Sequence, residues 1–132
     1  MGTSASTVGR AATILTTGEV VGATLDLQST SLDHAVTVEL DFTLGSLDNE
    51  IVRFYGSSDN VTFRPISVDG TVLTETLTAN ATRCYVVRVP GIRYFRASVQ
   101  GTGTVTSSSC AYTYRYQPYL TATPTDGAAR LL

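Results

Sequence analysis

Between His34 and Phe42 the chain alternates without a break. His34, Val36, Val38, Leu40 and Phe42 share one side of an extended backbone, and Asp33, Ala35, Thr37, Glu39 and Asp41 share the other. Successive side chains of a strand point to opposite faces, so this pattern predicts a strand with one buried and one wet face. Shorter segments of the same kind recur at about 11–16, 20–28, 50–56, 61–68, 71–78, 83–89, 92–99 and 104–116. Turn signals separate them: Leu44-Gly45-Ser46, Ser57-Ser58-Asp59-Asn60, Asp69-Gly70, Ala79-Asn80, Pro90-Gly91 and Gly101-Thr102-Gly103. No stretch has a 3.6-residue period, and threonine supplies about one residue in six, which suits pleated surfaces better than helices. Eight or nine short strands in 132 residues predict one all-β domain, a two-sheet antiparallel β-sandwich of jelly-roll type. Its core spans residues 10–116, with an N-terminal arm at 1–9 and a Pro- and Gly-bearing C-terminal arm at 117–132.

With 42% hydrophobic and 15% charged residues, the chain has enough apolar mass for a real interior. All nine basic residues are Arg, and the net charge of −2 argues against a generic nucleic-acid binder. No apolar run reaches the roughly 20 residues of a membrane-spanning helix, and the first twenty residues do not read as a secretory signal. No catalytic residue, metal or cofactor is expected. Glu39 and Asp41 lie two apart on one strand face, where solvent-facing carboxylates are common. Asp48-Asn49-Glu50 and Asp59-Asn60 lack the oxygen density of a calcium loop. His34 and Asp33 point to opposite faces, which disfavours a hydrolase triad. Cys84 and Cys110 form no C-x-x-C pair and read as two buried free thiols, although one disulfide is possible. The sequons at Asn60 and Asn80 and the Met1-Gly2 start carry little meaning without a targeting context.

Three segments place apolar residues on both faces: Arg83–Val89, Ile92–Val99 and Ile51–Tyr55. A two-layer sandwich has one inner face per sheet, so a second apolar face needs either the chain's own loop or a partner across it. Cys110, Tyr112, Tyr114 and Tyr116 form a row that reads as an interface, a sugar-stacking platform or an ordinary core ladder. A hairpin at Pro90-Gly91 would set Arg88 opposite Arg93, a like-charge pair that a partner's carboxylate would relieve. The expected interface residues are Tyr85, Arg88, Arg93, Tyr94, Arg96, Tyr112, Tyr114, Tyr116 and Tyr119.

The Ile51–Tyr55 strand, the turn Ser57-Ser58-Asp59-Asn60 and Val61-Thr62-Phe63 resemble an arrangement in discoidin-like jelly rolls. Ile92-Arg93-Tyr94-Phe95-Arg96-Ala97-Ser98-Val99 followed by Gly101-Thr102-Gly103-Thr104 resembles a later strand and turn of that family. Phe63 stands where many such modules carry Trp. In its Thr/Ser/Gly/Ala-rich, Lys-free, all-β style with an arm at each end, the chain also resembles small virion proteins of tailed bacteriophages. Decoration (cement) proteins of that kind are often jelly rolls, commonly trimeric, that bridge neighbouring capsid proteins. That resemblance implies a non-enzymatic virion protein stabilising the shell through apolar patches and arms. Its partner would be the major capsid protein or another virion protein. It would form a homo-oligomer, with a trimer favoured, bind neither nucleic acid nor membrane, and be made in the host cytoplasm. The alternatives are a carbohydrate-binding or host-attachment module of a tail or collar, and a neck or tail accessory protein.

Overall fold

The structure, a computed structural model, describes residues 6–28, 33–68, 70–118 and 130–131. The long strands form where the alternation is cleanest: β4 (Asp33–Thr43), β5 (Leu47–Ser57), β10 (Ala81–Pro90), β11 (Tyr94–Gly103) and β12 (Ser109–Pro118). Shorter ones complete the order: β1 (Thr7–Thr13), β2 (Val20–Val21), β3 (Leu25–Asp26), β6 (Arg64–Pro65), β7 (Ser67–Val68), β8 (Thr71–Val72), β9 (Thr74–Leu77) and β13 (Arg130–Leu131). One sheet runs β1-β12-β4-β10-β13. The other runs β2-β11-β5-β6, with β3 also on β11 and β9 also on β5. Their pairings are antiparallel, and the long strands switch sheets at each successive connection, which makes a two-sheet antiparallel sandwich of jelly-roll order. No helix long and apolar enough to cross a membrane occurs among the described residues.

Because consecutive long strands lie in different sheets, Pro90-Gly91 closes no hairpin. β10 pairs with β4 and β11 pairs with β5, so Arg88 faces Ala35 rather than Arg93. Gly91, at φ 73°, carries the chain across the gap between sheets. The 20–28 segment is two short strands, broken where Gly22 N–H donates to the Ala97 carbonyl (2.8 Å) and Ala23 N–H to the Gly9 carbonyl (2.8 Å). Gly101-Thr102-Gly103 belongs to β11, and the chain reverses just after it, where the Ser108 hydroxyl bonds the Val105 carbonyl (2.8 Å). Pairing begins at Thr7, inside the stretch read as an N-terminal arm, and β13 lies inside the stretch read as a C-terminal arm.

Two tyrosines of β12 span the interior. Tyr112 Oη donates to the Ala97 carbonyl (2.9 Å), and Tyr114 Oη accepts from Ala97 N–H (3.0 Å) on the opposite sheet. They reach β11 between its pairings with β2 and β3, where Tyr114 gives the Ala97 N–H its acceptor and Tyr112 adds a second donor to the carbonyl that already accepts from Gly22. Glycine makes room for both rings. A Cβ on Gly22 would come within 2.2 Å of the Tyr112 hydroxyl, and one on Gly9 within 2.6 Å of both rings.

Candidate functional site

Position parity in β12 places the tyrosine row on one face, and that face is the inner one. Tyr112 and Tyr114 are 1% and 0% exposed, and Tyr85 is buried edge-on against Phe54 at a centroid distance of 5.3 Å. These three expected interface residues therefore belong to the protein's own core, because their rings fill the space between the sheets. Tyr116 is half-buried beside the buried His34 ring, 5.8 Å away and edge-on. Arg88 is buried on β10, and Tyr119 lies outside the described residues. Cys110 is buried, but Cys84 is exposed on the opposite face of the same sheet, so the two thiols are free and only one of them is interior. Burial pushes the Cys110 thiol pKa well up.

Arg93, Tyr94 and Arg96 do stay at the surface, half-buried. Arg93 makes a bidentate pair with Asp26 (2.9 and 3.1 Å), which holds that carboxyl below its ordinary pKa. Its guanidinium carbon also stacks 5.1 Å from the Tyr94 ring centroid, and that of Arg96 lies 3.9 Å from the centroid of Phe63. The second apolar face expected on Ile92–Val99 thus resolves into aromatics capped by cations, while Ile92 itself packs onto the core.

The rest of this outer face is a closed polar network. The Glu19 carboxylate accepts from the hydroxyls of Tyr55 and Ser98 and pairs with Arg53 (3.9 Å). Arg53 also donates to Gln100 (2.9 Å), whose amide donates to the Thr17 carbonyl (3.0 Å). Partial burial pushes the Glu19 pKa upward, but Ser98, Tyr55, Arg53 and Arg96 together outweigh it and leave the carboxyl below its ordinary value.

Glu50 has the reverse setting. It shares the inner face of β5 with Val52 and Phe54, is 0% exposed, and its oxygens meet no N–H or hydroxyl donor, only the weak thiol of Cys110. Burial lifts its pKa from 4.5 to about 7, against smaller lowering effects from Cys110 and Arg10. The sequence had offered Glu50 to a loop, yet its parity with Val52 and Phe54 was the signal that it points inward. Glu39 and Asp41 are exposed on the outer face of β4, as the alternation requires.

A cleft of about 450 Å³ opens at one end of the six-stranded sheet, between the turn that follows β5, the strand β6 and the crossing segment at Gly91-Ile92. The turn is tightly built. Asp59 Oδ1 accepts from the Ser57 hydroxyl (2.9 Å), Val61 N–H (2.9 Å) and Thr62 N–H (3.0 Å). Ser57 Oγ in turn accepts from the backbone of Asp59 (3.2 Å) and Asn60 (3.0 Å), with Asn60 left-handed at φ 60°. The Thr62 and Val61 amides, then Ser57, lower the Asp59 pKa to about 2.

No protein-family model matches the chain. No curated protein matches it in sequence. Among solved structures, it aligns with a chain of infectious bursal disease virus, Gx strain, over 95% of its own length at 9% identity and a TM-score of 0.52. It spans about a third (34%) of that viral chain, and at this identity the likeness concerns the fold. Weaker alignments reach the Bacillus endospore appendages described as disulfide-linked pili (12% identity, 89% of this chain and 93% of that chain, TM-score 0.44) and the VP2 subviral particle of infectious bursal disease virus (12% identity, 95% and 38%, TM-score 0.44).

Proposed function

We propose that this chain is a non-enzymatic structural protein of a virion, and within that class a decoration protein that stabilises a tailed-phage capsid as a homo-oligomer, a trimer by preference. The observation that supports the reading is the correspondence of 95% of the chain with part of a virus structure at a TM-score of 0.52. The sandwich supplies a rigid body, since Tyr112 and Tyr114 tie one sheet to the other through Ala97. A terminal segment already uses a sheet edge. β13 pairs with β10 only at Val87 and Arg88, which leaves residues 81–86 of β10 without a neighbour on that side among the described residues. Such an edge accepts a strand from another molecule, and many weak contacts of this kind gain from repetition over a shell. Of the residues read from sequence as interface, Arg93, Tyr94 and Arg96 are the surface contacts retained.

The test is light scattering coupled to size exclusion on the full chain and on one lacking residues 119–132, followed by electron microscopy of the purified protein. The reading expects a discrete symmetric oligomer, weakened by the deletion. A full-length chain that stays monomeric at its highest soluble concentration, and forms no ordered array, overturns it.

A further inference from the structure

The arginines of this Lys-free chain are almost all engaged within it. Arg10, Arg53, Arg83, Arg93, Arg96 and Arg115 each have a hydrogen bond, ion pair or ring contact, and Arg88 also has an interaction. Among the described side chains Arg64 is the exception, and it lines the cleft beside the Ser57–Thr62 turn. The same cleft exposes further unused polar groups. Asp59 Oδ2 takes none of the bonds that fix its sister oxygen, and the hydroxyls of Ser58, Thr62 and Ser67 have no hydrogen-bond partner among the described residues. Opposite them lie the apolar surfaces of Pro65, Ile66 and Ile92. These exposed groups are gathered around an apolar wall in one concave place, and a few polar groups converging on apolar surface is the usual lining of a small-molecule site. Its volume also falls in the range of about 300–1,000 Å³ usual for small molecules.

We propose that this cleft binds a saccharide ring bearing a carboxylate. Asp59 Oδ2 calls for hydroxyl donors, and its position is fixed by the turn, so little ordering cost remains on binding. Arg64 offers a planar fork suited to a carboxylate, and the three hydroxyls both donate and accept. The apolar wall suits the C–H face of a pyranose. A simple anion would use Arg64 but gain nothing from Asp59, which repels it. The inference does not depend on the assembly reading, and failure of either leaves the other standing.

The experiment is amide-resolved NMR of the full chain titrated with methyl β-glucuronide, methyl β-glucoside and sodium acetate. Both sugars should shift the amides of Ser58–Thr62, Arg64, Ser67 and Ile92 saturably, with Kd on the order of millimolar for so small a ligand. The glucuronide should bind about five-fold more tightly than the glucoside, the worth of one partly exposed ion pair. Arg64→Ala, at an exposed position without internal contacts, should keep the remaining spectrum and remove that preference. The proposal is overturned if neither sugar shifts the cleft amides, if acetate matches the glucuronide, if the two sugars bind equally, or if Arg64→Ala leaves the preference intact.

Discussion

Glu19 and Glu50 lie against opposite faces of the same sheet and have opposite fates. On the outer face, Glu19 meets two hydroxyls and Arg53, so its charge is held where it is wanted. Between the sheets, Glu50 meets apolar neighbours and a thiol, and its charge is penalised by desolvation. A carboxylate is thus stabilising or destabilising here according to the donors within reach, and burial alone does not decide it: Tyr112 and Tyr114 are equally interior, yet each hydroxyl is hydrogen-bonded to Ala97.

The largest expected effect tests the unsatisfied side of this contrast. A folded-state pKa near 7 against an ordinary 4.5 means the folded protein holds the Glu50 proton more tightly than the unfolded chain does. Stability from this group is therefore intact below about pH 4.5, falls as pH rises toward 7, and levels off above it. Glu50→Leu should raise stability by about 3 kcal/mol at pH 8 and flatten that slope. Urea denaturation across pH 4–8 reads both, and a slope unchanged in the variant would assign it to another group.

Next in size is a satisfied interior group made unsatisfied. Tyr114→Phe leaves the Ala97 N–H without its acceptor and should cost about 1–3 kcal/mol, measured in the same denaturation series. On the outer face, Glu19→Gln should cost about 1 kcal/mol at neutral pH, since the half-exposed network is screened by solvent. Its pH dependence has the opposite sign to that of Glu50: the lowered pKa gives stability that is present above about pH 4.5 and lost as pH falls below it. The smallest effect belongs to Glu39→Gln, whose 3.9 Å pair with Arg115 is exposed on both sides. A change above about 0.5 kcal/mol in thermal or urea unfolding would show that surface charge matters more here than the contrast implies.

Much of this fold was legible in the residues. The alternation of His34–Phe42 marks β4, and the same rule fixes which residues of β12 share a face. It does not say which face is inside, and that is why Tyr112 and Tyr114 read as an interface while they bridge the core. Turn chemistry had a similar limit. Pro90-Gly91 marks a reversal but carries no information on whether the chain returns to the same sheet, and here it changes sheets. The cleft was only half visible: the Ser57–Asn60 turn stands out in the sequence, whereas the isolation of Arg64 appears only once the other arginines have found their partners in space.

The place of β12 has a consequence for how the molecule is made. It lies between β1 and β4, so among the described residues β1 has no neighbour in its sheet until β12, about a hundred residues later, has been made. Pairings this distant along the chain nucleate slowly. A chain cut short before Ser109 therefore yields no smaller sandwich, only an unzipped β1 and an uncovered flank of β4 awaiting a strand that never arrives.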